Sequence, residues 1–146
     1  MLWDLTPPAG LLLVTAALSL VVSLLALTRS PFPGDRVLSF VMLAVAEWSL
    51  FSGLEAAAIP FALKLLLSKI EYVGLAATPP LFLLFAAKYS GYDRWLRGSR
   101  CIVLWTPAVA TVALAATNDL HGWVWSGYVP GPAGSNAFIY LHGPAY

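Results

Sequence analysis

The stretch 70–87, I-E-Y-V-G-L-A-A-T-P-P-L-F-L-L-F-A-A, most constrains what this chain can fold into. It is almost wholly apolar, and about 20 such residues carry a helix across a bilayer. Directly after it stand Lys88, Arg94, Arg97 and Arg100, the densest basic cluster in the chain. Basic loops are retained on the cytoplasmic side of a membrane. One segment thus supplies both a membrane span and its direction. Of the 146 residues, 60% are hydrophobic and only 10% are charged. That leaves too few charges to cover a soluble domain of this length.

Three more apolar blocks flank this one. The first, about 9–28, has Asp4 before it, no Lys or Arg before it, and Arg29 after it. A secretory signal peptide has the opposite flanks and a shorter apolar run, so the block reads as a span with its N-terminus outside. Trp3 then belongs in the outer interface and Pro7-Pro8 form the opening turn. The turn 29–36, with two prolines, a glycine and two arginines, stays in the cytoplasm. The second block, about 37–59, carries Glu47 near mid-depth and Glu55 towards its outer end. Its Ser52, Gly53 and Ala56-Ala57-Ala58 permit close approach of another helix.

Pro60 and the residues up to Lys69 read as a short outer connection before the third span, about 70–89. Pro79 and Pro80 fall in the middle of that span and predict a kink. The fourth span is about 101–117, and 118–146 remain as an outer loop. There Trp123, Trp125 and Tyr128 stand on one side of the Pro/Gly-rich residues 130–136, with Phe138 and Tyr140 on the other. This pattern predicts a β-hairpin resting on the outer membrane surface, where Trp and Tyr are favoured. Six of the eight basic residues, Arg29, Arg36, Lys88, Arg94, Arg97 and Arg100, fall in inner segments. The expectation is an all-α, multi-pass protein of the cytoplasmic membrane with its N-terminus extracytoplasmic.

Glu47 is the residue of most chemical interest. A charged group at bilayer mid-depth costs a few kcal/mol on insertion scales, about 3, so it should face the bundle interior. There it could sense protons or bind a polar ligand, or simply hydrogen-bond a neighbouring helix. Glu55 and Glu71 lie near the outer interface, and pairing with Lys64 and Lys69 is their plain explanation. The alternative is a polar pocket opening outward, floored by Glu55 and Glu71 and capped by the hairpin, with Asn118, His121 and Trp125 at its rim. Pro79 and Pro80 are either a signal-carrying hinge or a static kink. Asp93-Arg94 reads as a solvated ion pair near lipid phosphates. His121 and His142 are the only histidines, too few to predict a metal centre, and the lone Cys101 excludes an intrachain disulfide. No Gly-rich phosphate loop, nucleophile elbow or His-Glu-x-x-His helix is present, so no catalytic residue is nominated. The sequence leaves any cofactor unknown, and a net charge of +1 gives no global field for nucleic acid.

The order of certain residues adds a further reading. Pro33-Gly34 follow the first block, and Trp48 and Glu55 lie in the second. Tyr72-x-Gly74, Pro79-Pro80, Phe85 and Tyr89-x-Gly91 mark the third. Pro107, Thr117-Asn118, His121, Trp125 and finally Gly143-Pro144 complete the series. This series resembles the N-terminal seven-transmembrane sensor region of prokaryotic histidine kinases, over nearly the whole chain. Glu71 stands where that pattern has a neutral polar residue, and Gly122 where a second His is common. The resemblance implies a seven-helix bundle, of which these residues make four spans and the outer hairpin. A fifth span is expected near Tyr146, with the remaining spans and a cytoplasmic output module in cis beyond it. It also implies signal sensing at or in the lipid bilayer, relay to that output, and a homodimer. Glu47, Trp48, Glu55, Glu71, Asn118, His121 and Trp125 are the candidate sensing residues. A different class of function remains open: part of a small transporter or channel, with Glu47 and the proline-broken third helix as its midplane site.

Overall fold

Four long helices follow the four apolar blocks in the computed structural model, which describes residues 2–28, 34–92, 94, 98–132 and 136–145. They are α1 (Pro7–Thr28), α2 (Asp35–Ala57), α3 (Phe61–Tyr89) and α4 (Ser99–Ala116), each long and apolar enough to cross a membrane. A single-turn helix, α5 (Asn118–His121), leads into β1 (Trp125–Pro130) and β2 (Phe138–His142). Arg29, Pro33, Asp93 and Arg97, which entered the sequence reading, lie outside the described residues.

The contact between α1 and α2 is built from small side chains. α1 buries Ala9, Ala16, Ser19 and Ser23, spaced so that they form one stripe along the helix. α2 meets it with residues such as Ser39, Ala46, Ser49 and Gly53. Lipid gives helices no hydrophobic reason to associate, so close backbone packing and interhelical hydrogen bonds must hold them. The Ser23 hydroxyl supplies one such bond, 2.9 Å from both the carbonyl oxygen and the Oγ of Ser39. Leu11, Val14, Leu18 and Val21 of α1 are exposed on the opposite side, as a lipid-facing surface requires.

α3 departs from the sequence expectation at its start. It starts at Phe61 rather than near residue 70, so the expected outer connection shrinks to a few residues around Pro60. The reason is local: Pro60, with φ −68°, sets up the first turn, and the residues that follow it (F-A-L-K-L-L-L) include strong helix formers. Lys64 and Lys69 read as loop residues by charge but are helical. At about 1.5 Å per residue, the 29-residue helix is about 44 Å long, more than a hydrocarbon core of about 30 Å. One end of it therefore stands clear of the apolar layer. Pro79 and Pro80 lie inside this helix, which continues through them as one element. The two prolines remove the amide donors that would reach Leu75 and Ala76. One residue upstream, the Thr78 hydroxyl donates to the Gly74 carbonyl at 2.8 Å.

The helices alternate in direction, which sorts the two ends. Gly34, at φ 103°, adopts the left-handed conformation that glycine tolerates and begins α2 beside Phe85 and Lys88 of α3. Arg36, Lys88, Arg94 and Arg100 therefore share one end of the bundle. The opposite end carries the hairpin, where β1 and β2 pair antiparallel with Tyr128 opposite Tyr140. Residues 2–6 also run across that end: Ile59 N–H donates to the Leu2 carbonyl at 2.9 Å, and Asp4 N–H to the Ala57 carbonyl at 2.7 Å. Tyr72, Ala115, Val124 and Trp125 form a buried cluster beneath the hairpin.

Candidate functional site

Three carboxyl groups gather between α2 and α3 below the hairpin. Glu71, on α3, accepts a hydrogen bond from the Ser52 hydroxyl of α2 at 2.6 Å and lies within electrostatic reach of Glu55 and Glu47. Glu55, near the end of α2, accepts from the Tyr140 hydroxyl of β2 at 2.8 Å. The same hydroxyl is 2.9 Å from Ser68 Oγ of α3. One phenol thus ties the hairpin to both central helices. Glu47 lies deeper, against Gly74, and its Oε2 is buried with no hydrogen-bond partner among the described residues.

One lysine takes the expected partner and the other does not. Lys64 is 1% exposed, donates to the Glu55 main-chain oxygen at 2.8 Å, and has its Nζ 3.9 Å from Glu55 Oε1. Lys69 pairs with Asp119 at 2.6 Å rather than with Glu71, because the longer α3 carries it up to α5. Glu71 is thereby left to its serine. The pattern has features of both expectations: Glu55 has an ion pair, and the hairpin caps a polar cluster holding Glu55 and Glu71.

The remaining sensing candidates are split by their positions. Trp125 is buried at the start of β1, edge-on to Tyr72 with ring centroids 5.3 Å apart, and 5.7 Å from Tyr140. Asn118 is 3% exposed and its amide is taken up by backbone: Oδ1 accepts from Val124 and Trp125, and Nδ2 donates to the Trp125 carbonyl. His121 accepts from the Trp123 N–H at 2.9 Å and lies 3.1 Å from the Thr117 hydroxyl. Both shape the turn into the hairpin instead of facing the carboxyl cluster. Trp48 is 38% exposed on α2, away from Glu55 and Tyr140. Pro79 and Pro80 lie on α3 between the cluster and the basic end.

Sequence reasoning passed over Tyr140 as a site residue, together with Ser52, Ser68 and Lys64. Tyr140 carried only an interfacial-aromatic signal, and its partners are 85 and 72 residues away along the chain. Burial raises its phenol well above the ordinary value; the Ser68 hydrogen bond opposes this, and Glu55 and Glu71 push the same way as burial. The proton therefore stays on Tyr140 in the folded chain, where it serves as a donor. A raised folded pKa gives stability that is fully present below the unfolded value of about 10 and is lost as pH rises through the folded value. The hairpin is expected to loosen only above about pH 10, with tyrosinate absorbance appearing in step. In Tyr140→Phe that alkaline step should vanish, at a cost of about 1–2 kcal/mol from the lost hydrogen bonds at neutral pH. A phenol that titrates at its ordinary value would contradict this packing.

Comparison with known proteins gives one match. A family model described as the N-terminal 7TM region of histidine kinase covers residues 11–146. No curated protein and no solved structure matches the chain. The matched segment includes all of the carboxyl cluster, the hairpin strands and nearly all of the four helices. The chain belongs to the family of N-terminal seven-transmembrane sensor regions of histidine kinases.

Proposed function

We propose that the chain detects a stimulus at the hairpin end of the bundle and relays it to a cytoplasmic output module in cis. Displacement of α2 and α3 carries the relay. The observation that supports this most is the Tyr140 hydroxyl, shared between Glu55 of α2 and Ser68 of α3. Any ligand or field that moves the hairpin pulls on both helices at once. Glu55, Glu71 and Trp125 form the input side, Glu47 lies on the path inward, and Pro79 and Pro80 give α3 a point of weaker backbone bonding. Asn118 and His121 position the hairpin. The N-terminus and hairpin are extracytoplasmic, the basic end is cytoplasmic, and the protein acts as a homodimer.

Orientation can be tested on the native chain, since Cys101 is its only cysteine and stands at the basic end. A membrane-impermeant maleimide is expected to label Cys101 in inside-out vesicles and to leave it untouched in intact cells. Labelling in intact cells would reverse the topology.

Glu47 Oε2, buried with no hydrogen-bond partner among the described residues and set beside a proline-containing helix, favours a second reading, a transporter or channel site at that depth. The two readings separate in vesicles carrying the full-length protein. Sensing predicts that Glu55→Gln changes autophosphorylation with ATP and that no proton or solute flux depends on Glu47. Flux abolished by Glu47→Gln, with phosphorylation unaltered by either change, would displace the sensor reading.

A further inference from the structure

The N-terminal segment, the end of α2, the start of α3 and the foot of β2 enclose a cavity of about 330 Å³. That is at the small end of ligand sites, which run from about 300 to 1,000 Å³. Its wall includes Asp4, Thr6, Glu55, Lys64, Asn136 and Phe138. Two acids and one base in so small a space make it unlike the other cavities, which are lined almost entirely by apolar side chains or lie away from any cation.

Lys64 decides what this cavity can hold. Its side chain is 1% exposed, yet an ammonium carries three N–H donors. Among the described residues, one donor reaches the Glu55 main-chain oxygen at 2.8 Å, while Glu55 Oε1 at 3.9 Å is beyond hydrogen-bond distance. A buried ammonium with donors to spare favours an anionic group brought to it. Asn136 is already committed to the Ala58 carbonyl at 2.9 Å and serves to close the wall. Asp4 is exposed, its backbone fixed by the bond from its N–H to the Ala57 carbonyl. A simple anion entering here meets the carboxylates of Asp4 and Glu55, and a simple cation meets Lys64. A molecule carrying both charges finds a complement for each.

We infer that this cavity binds a small zwitterion of amino-acid size, with its carboxylate on Lys64 and its ammonium on Asp4. As a stimulus, such a ligand rests on the sensing role proposed above; as a bound molecule it does not.

Calorimetric titration of the full chain in detergent micelles tests this directly. The probes are glycine, L-alanine, β-alanine and γ-aminobutyrate, which vary the separation of the two charges. Acetate and methylammonium serve as single-charge controls. At least one zwitterion is expected to bind saturably with Kd under roughly 1 mM, the controls are not, and Lys64→Met and Asp4→Asn should each weaken binding at least about tenfold. Should Lys64→Met fail to fold, Asp4→Asn at the exposed mouth carries the test alone. No zwitterion binding beyond the controls, or equal binding by Asp4→Asn, overturns the inference. Binding without any change in kinase output keeps the site and removes its signalling role. Output that answers another stimulus in a chain that binds no zwitterion keeps the sensing and removes the site.

Discussion

Replacing Gly74 with alanine is expected to destabilise the bundle by about 2–3 kcal/mol. A Cβ at this position would overlap the Glu47 carboxyl and the Ala44 carbonyl, and lie 2.9 Å from the Trp48 amide nitrogen. Two of those three neighbours are backbone of α2 and cannot rotate away, so the helices must separate. Gly53 is the internal control. There the three nearest neighbours of a Cβ would be the Leu12 Cβ and two Leu13 side-chain atoms at 3.1–3.2 Å, an overlap that a shift of a few tenths of an ångström relieves. Gly53→Ala should therefore cost about 1 kcal/mol or less. Denaturant unfolding in micelles, followed by far-ultraviolet circular dichroism, measures both. Equal effects at the two glycines would mean that α2 and α3 do not meet in this register.

Asn118→Ala should cost about 3 kcal/mol locally, and the loss should be confined to the hairpin. The side chain holds two amides and one carbonyl of the segment that enters β1, at 2.9–3.0 Å. Removing it leaves these buried groups unsatisfied, at about 1–3 kcal/mol each before any relaxation. Hydrogen exchange at residues 123–125 should accelerate by about a hundredfold, with that of α1 and α2 unchanged. Unchanged exchange in Asn118→Ala would return Asn118 to the ligand-rim role that its position in the sequence suggested.

These two residues mark where reading the sequence succeeded and where it could not. The four apolar blocks were long enough to announce their helices, and the aromatic residues around the Pro/Gly-rich residues 130–136 announced the hairpin. Glu55 and Glu71 belonged visibly to one interface because each ended up near the same bilayer depth. Contacts between distant segments left no such trace. Gly74 is an unremarkable glycine until Ala44 and Trp48 of α2 come against it. Lys64 looked like a loop cation because hydropathy treats every lysine alike, whereas its stem is buried and its ammonium meets Glu55. Asn118 looked like a free polar group at a rim because its partners are backbone atoms six and seven residues on. The N-terminal segment paired with the α2–α3 connection through Leu2, Trp3 and Asp4, a contact that no local pattern encodes.

Autophosphorylation of the full-length protein in membrane vesicles, compared between the native chain and Tyr140→Phe, bears most directly on the proposed relay. Tyr140→Phe removes the hydrogen bonds to Glu55 and Ser68 while leaving the ring on Trp125 and Tyr128. A loss of about 1 kcal/mol in one of two states shifts their ratio about fivefold. The predicted result is a basal rate changed by about that factor, in either direction. An unaltered rate in a variant whose hairpin is shown by hydrogen exchange to have loosened would contradict the coupling of hairpin to helices.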